Sequence, residues 1–294
     1  MIVGITGNRE KPELPAVLER VVKVLRARHV GYVVDRTLRP VLSGHVLREH
    51  FPSGSFRPPD ALRRTNLLIS LGGDGTMLQA ARLVRREEIP ILGVNLGKLG
   101  FLAEVRIDEV EVCLDQVLSG DYRVEDRLML EAHGKGLGNG YAALNDIVLD
   151  LSESARVMHV ETWVDGDYLA TFTGDGMIVS TPTGSTAYAL SNGGPILPPQ
   201  TGAIMVSPIC PHTLTARPVV LPDSSIVTLK VKSAPARLVL TADGQPSAFL
   251  KPPVLIEVRK SQYVTKLVKR KGSKYFDVLR GKLQWGRDVR TDPE

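Results

Sequence analysis

Hydrophobic periodicity changes character near Gly120, and this limits the chain to an α/β unit followed by a β-rich one. Before Gly120, short β-rich runs alternate with helical patterns. Ile2–Thr6 reads as a strand, and Leu14–Arg28 carries apolar residues at helical spacing (Leu14, Val17, Leu18, Val21, Val22, Leu25). Tyr32–Val34, Asn66–Leu71 and Pro90–Val94 read as further strands. Helices are predicted over Thr76–Arg86 and over Asp108–Leu118, the latter with Asp108 as N-cap. Alternation of this kind predicts a parallel sheet. Pro40–Pro59, rich in Pro, Gly and Ser, reads as irregular.

After Gly120 the runs are short and separated by Gly, Pro, Asn and Asp, with Asp-Gly pairs at 165, 175 and 243. That pattern predicts a sandwich or barrel-like β domain. The 294 residues thus divide into 1–120 (α/β), 121–258 (β) and a basic segment, 259–294. This last segment holds eleven Lys and Arg against four acidic residues, within a chain of net charge +5. Tyr263, Leu267, Tyr275, Phe276 and Leu279 interleave with its charges. It therefore reads as a segment that packs back on the α/β domain, rather than as an arm for nucleic acid. Thr265–Arg280 fits a strand or a helix.

Composition narrows the function. Apolar runs fall well short of the roughly 20 residues that span a bilayer. Two cysteines cannot build a disulfide framework, so a cytoplasmic setting is expected, with neither a membrane nor a nucleic acid as partner. The six histidines show no i, i+4 pair and no cysteine at zinc spacing, so no built-in metal site is expected. Gly184-Ser185-Thr186 is not a nucleophile elbow, which excludes a serine hydrolase of that type.

Three stretches can carry chemistry. In Gly72-Gly73-Asp74-Gly75-Thr76, glycines between a buried strand and a helix let backbone N–H groups approach an anion at a helix N-terminus. Asp74 inside such a cradle can take a proton from a hydroxyl or hold a metal. The same residues also fit a plain strand–turn–helix corner with Asp74 as N-cap. Gly93–Gly100 is a second glycine-rich turn, but it lacks P-loop spacing, with Leu99 where Ser or Thr is needed. Thr181–Pro195 is dense in hydroxyls around Tyr188. It can bind phosphate and ribose and stack on a base, and it can equally be a Ser/Thr-capped helix start.

Taken together, Gly72–Thr76, Asn95–Glu104, Leu144–Ile147, Asp175–Pro195, Ser207–Leu221 and Asp243-Gly244-Gln245 resemble the NAD kinase family, in family order. The resemblance implies a Rossmann-like parallel α/β domain and a β-sandwich-like domain with the active site between them. It implies transfer of a phosphoryl group from ATP, another NTP or polyphosphate to the 2′-hydroxyl of the adenosine ribose of NAD. Asp74 matches the proton acceptor, and Gly72, Gly73, Gly75 and Thr76 match the phosphate loop. The NAD contacts implied are Asp74, Gly75, Asn145, Asp146, Arg156, Thr173, Asp175, Gln245 and Thr186, Ala187, Tyr188, Ala189, Leu190 and Ser191. A divalent ion, Mg²⁺ or Mn²⁺, carried by the donor is implied, as is a homodimer or homotetramer. Thr173 stands where Arg or Lys is common, and Gln79 where some members carry a basic residue. The rival classes are a lipid or sugar kinase sharing the GGDG loop, and a non-catalytic dinucleotide sensor.

Overall fold

The computed structural model describes residues 1–152 and 157–285. The chain forms two compact units, one of Met1–Asp126 with the segment from Thr265 onward, the other of Arg127–Val264.

The first unit contains strands Ile2–Gly7 (β1), Gly31–Asp35 (β2), Phe56–Arg57 (β3), Leu67–Gly72 (β4), Ile91–Asn95 (β5), Val105–Arg106 (β6) and Tyr122–Arg127 (β7). Its helices are Leu14–Ala27 (α1), Gly44–His50 (α2), Asp74–Val84 (α3) and Val110–Leu118 (α4). The sheet order is β3-β2-β1-β4-β5, continued by a strand from the C-terminal segment and then β7; β6 pairs with β5. β1 is parallel to β2 and β4, and β4 to β5. β4 and β5 are buried along their whole length, as expected for central strands covered on both faces. The six apolar residues predicted for α1 are all buried in the core of this unit. Order β3-β2-β1-β4-β5 reverses direction at β1, so the loops leaving β1 and β4 flank a crevice at the strands' carboxyl ends.

The second unit is two antiparallel six-stranded sheets around one apolar core. One sheet holds Leu130–Gly134 (β8), Tyr141–Ala143 (β9), Met158–Val164 (β11), Asp167–Gly174 (β12), Val227–Val231 (β16) and Val254–Lys260 (β19). The other holds Asp146–Leu151 (β10), Gly176–Ser180 (β13), Ala203–Ile209 (β14), Val219–Pro222 (β15), Leu238–Ala242 (β17) and Gln245–Leu250 (β18). Alternate residues of β16 and β17 point inward, the period-2 pattern of a sandwich. Asp165-Gly166 and Asp243-Gly244 have positive φ throughout and close hairpins, the role that Asp-Gly predicts. Asp175-Gly176 does not: Asp175 has no positive φ, and its N–H donates to the carbonyl of Ile209.

The structure corrects several local expectations. Asp108 is not a cap. It lies inside the one-turn helix Ile107–Glu109 and pairs with Arg106, while Glu109 accepts from the Arg106 N–H. The stretch read as irregular contains α2, too short to show periodicity, with Ser43 as its N-cap. Phe51 follows it, packed between Tyr32 and Phe56. Thr265–Arg280 is both alternatives in turn: strand Thr265–Arg270 (β20) enters the first sheet between β5 and β7, and Tyr275–Leu283 forms helix α6.

Candidate active site

In the first unit, β4 delivers the chain into Gly73, the N-cap of α3, and Asp74 is the first helical residue. Its carboxylate does not cap its own helix. Oδ2 accepts the N–H of Phe101 at 2.9 Å, and Oδ1 accepts those of Leu102 and Ala103 at 2.9 and 3.2 Å. The plain-corner reading with Asp74 as cap is thereby replaced by a tertiary one. The donating loop follows β5 and is shaped by Asn95. Its Oδ1 accepts from Gly97 N–H at 2.9 Å, its amide donates to the Lys98 carbonyl at 2.6 Å, and Leu96 N–H reaches the Gly72 carbonyl at 3.2 Å. The two glycine-rich turns are thus locked together.

A cleft of about 600 Å³ opens where the loops leaving β1 and β4 meet. Gly73, Gly75 and Thr76 line one side. Asn8, Arg9, Glu10 and Lys11 line the other, with Gln79 also at its wall, so one carboxylate stands among the two cations. Sequence reading did not single out Asn8, Arg9 or Lys11. The signal for them is topological: strand order at a switch point brings the loop after β1 beside the loop after β4. Thr76 and Met77 donate their N–H groups to the Gly73 carbonyl, so the N–H groups of Asp74 and Gly75, beside two cationic side chains, are the ones that suit an anionic ligand.

In the second unit, Asn145 and Asp146 sit where β10 begins. The carboxylate of Asp243, at the β17–β18 hairpin, accepts the N–H groups of Leu144 at 3.0 Å, Asn145 at 2.7 Å and Asp146 at 3.4 Å. Asp146 is 4% exposed. Burial, with the Asp243 charge beside it, pushes its carboxyl up to about 7. Burial and the Asp175 charge also raise Asp150. Burial first, and then the charges of Asp150, Cys210, Asp175 and Asp146, also raise the Tyr188 hydroxyl. These residues therefore form one acidic neighbourhood.

The hydroxyl-rich segment is tied down by its own side chains. Thr181 donates to the Leu144 carbonyl at 2.6 Å, and Ser185 donates to the Pro182 carbonyl at 2.6 Å and accepts from Leu197 N–H at 2.9 Å. It carries a one-turn helix, Gly184–Thr186, and a four-residue helix, Tyr188–Ser191 (α5). The residues directly before them, Thr183 and Ala187, cap neither with a side chain, but Thr181 Oγ1 accepts the N–H of Gly184 at 3.0 Å, so a threonine hydroxyl does hold the start of the first. Tyr188 and Ser191 are exposed, and Thr186, Ala187 and Leu190 are half-buried, while Ala189 is buried. Gln245 is exposed at the start of β18. Thr173 meets His159, Oγ1 to Nδ1 at 2.8 Å. Arg156 lies outside the described residues. Among the described residues no group of three or more His, Cys, Asp or Glu is placed to hold a metal ion, and no helix is long and apolar enough to cross a membrane.

Residues 3–122 match the ATP-NAD kinase N-terminal domain family, and residues 144–270 the ATP-NAD kinase C-terminal domain family. The chain is 44% identical to an NAD kinase of Geobacter metallireducens over 262 residues, covering 87% of this chain and 92% of that one. It is 41% identical to an NAD kinase of Citrifermentans bemidjiense over 288 residues, covering 97% and 98%. Its fold is similar to yeast NADH kinase complexed with NADH, with TM-score 0.87, 29% identity, and 100% of this chain and 90% of that one covered. It is also similar to an NAD kinase from Archaeoglobus fulgidus in complex with ATP, with TM-score 0.76, 25% identity, and 97% and 99% covered. These matches favour NAD phosphorylation over a lipid or sugar kinase and over a non-catalytic sensor. With both halves of the sequence matched, the chain belongs to the ATP-NAD kinase family and is an enzyme that phosphorylates NAD.

Proposed function

We propose that Asp74 is the proton acceptor for the 2′-hydroxyl of the adenosine ribose of NAD, with ATP as donor. The ribose oxygen attacks the γ-phosphorus, a new O–P bond forms, and the bond to the β-phosphate oxygen breaks. The proton goes to Asp74 and ADP leaves. The donor enters as its complex with a divalent cation, Mg²⁺ or Mn²⁺, and is thus a substrate that brings its own metal. Arg9, Lys11 and the N–H group of Gly75 hold its phosphates in the cleft after β1 and β4, where positioning and charge neutralisation supply most of the rate.

The second unit supplies the acceptor's contacts. Asn145, Asp146 and Asp175 accept or donate to ribose hydroxyls and amide groups, and Tyr188 stacks on a base, flanked by Thr186, Ala187, Ala189, Leu190 and Ser191. Gln245 and Thr173 add polar contacts, Gly75 lets the dinucleotide approach the loop, and Arg156 is assigned a basic contact by family resemblance. The protein works in the cytoplasm as a homodimer or homotetramer, without membrane or nucleic acid.

The observation that carries this reading is the Asp74 carboxylate, held by three N–H groups at the mouth of an anion-binding loop. A single-turnover assay with NAD, ATP and Mg²⁺ tests it. NADP must form with the native chain, and Asp74→Asn must slow its formation by orders of magnitude.

A further inference from the structure

The loop that grips Asp74 contains a glycine whose backbone does not require one. Gly100 has a φ outside the left-handed region, so an L-residue fits its conformation. The three atoms nearest to a Cβ there all belong to the Asp74 carboxylate. The Cβ would lie 2.8 Å from Cγ of Asp74 and closer still to Oδ1. The three residues that follow, Phe101, Leu102 and Ala103, are the N–H donors to the same carboxylate. We propose that Gly100 and the amides of residues 101–103 form a positioning clamp that orients Asp74 for proton transfer, with Gly100 as the residue that leaves room for it.

The clamp leaves one direction open. An ionised carboxylate has about four acceptor sites. Oδ1 accepts two of the N–H groups and Oδ2 accepts one, so the fourth site lies on Oδ2. Three bonds from a loop 27 to 29 residues away fix both side-chain torsions, and with them the direction in which that site faces. A base held in this way needs no reorganisation when the hydroxyl arrives. The amides come with any non-proline residue at 101–103, but the space for the carboxylate depends on residue 100. Gly100 acts through Asp74 and is a positioning residue, not a catalytic one.

This inference rests on the assignment of Asp74 as proton acceptor, and a double-mutant cycle separates the two claims. The variants are Gly100→Ala, Asp74→Ala and the pair, in the full-length chain. The readouts are kcat and KM with NAD and MgATP, NAD affinity by calorimetry, and melting temperature. Gly100→Ala should cut kcat by about 10²-fold, the cost of misplacing a reacting group by about 1 Å, with NAD affinity within a few-fold. In the Asp74→Ala background, where the colliding group is gone, Gly100→Ala should change kcat by less than about 2-fold. Melting temperature should follow the same pattern: a fall in the native background and little change in the Asp74→Ala background. That thermal cycle still reads the clamp if Gly100→Ala is too unstable for kinetics. Equal losses from Gly100→Ala in both backgrounds, in kcat or in melting temperature, would overturn the clamp and leave the base assignment standing. Native turnover in Asp74→Ala would overturn the base assignment and the clamp with it.

Discussion

Asp243 and Asn145 are 98 residues apart in sequence and are joined by a 2.7 Å hydrogen bond from the Asn145 N–H to Asp243 Oδ1. The flanking N–H groups of Leu144 and Asp146 reach the same carboxylate. A side chain at one hairpin thereby fixes the backbone of a segment assigned to the dinucleotide. Asp243→Ala removes all three hydrogen bonds. NAD affinity should fall by tenfold or more in calorimetry, with kcat at saturating NAD within about threefold, because the base is elsewhere. Unchanged affinity would show that the segment holds its shape unaided.

Asp146 makes stability depend on pH. Folded, its carboxyl holds a proton up to about pH 7, because burial and then Asp243 disfavour its charge; unfolded, it releases the proton near 3.8. Between those values the unfolded chain binds fewer protons. This group's contribution therefore weakens stability as pH rises, by up to about 1.4 kcal/mol per pH unit, and levels off above about 7. Asp146→Asn should remove that slope. Denaturant unfolding at several pH values checks it: parallel native and variant curves between pH 4 and 7 would refute the assignment.

Lys269 is 3% exposed and pairs with Glu104, which also accepts from Ser273 Oγ at 2.7 Å. Lys269→Met leaves that carboxylate without its cation in a largely buried place. Such a change costs about 3–5 kcal/mol. Glu104→Gln with Lys269→Met should recover part of the loss. A variant that melts within 2 °C of native would show that the pair adds nothing.

Truncation separates the roles of β20 and α6. Ending the chain before Thr265 removes a strand that contributes buried Leu267 and Val268 and exposes the edge of β5. No cooperative thermal transition is expected. Ending it after Lys274 removes α6 and the 2.7 Å bond from Lys282 to the Leu99 carbonyl. That protein should fold, with lower turnover from a looser loop. A cooperatively melting chain that ends before Thr265 would contradict the role given to β20.

The sequence shows the α/β pattern and the phosphate loop because both depend on side-chain type: periodic apolar residues and clustered glycines. Most of what holds Asp74 is invisible there. Phe101, Leu102 and Ala103 act through main-chain N–H groups, which every non-proline residue carries, so no residue type marks them. Arg9 and Lys11 read as surface charges until strand order brings them beside Gly75. β20 is undecidable locally because its neighbour β5 lies more than 170 residues earlier in the chain. Tertiary pairing, not propensity, decides that it is a strand.

The most direct test of the account is the comparison of kcat and NAD affinity for Asp74→Asn. A proton acceptor works mainly in the transition state, so its loss belongs in kcat. Turnover should fall by orders of magnitude, with NAD affinity within about tenfold of native. Near-native kcat together with much weaker NAD binding would contradict it, and would make Asp74 a ground-state contact.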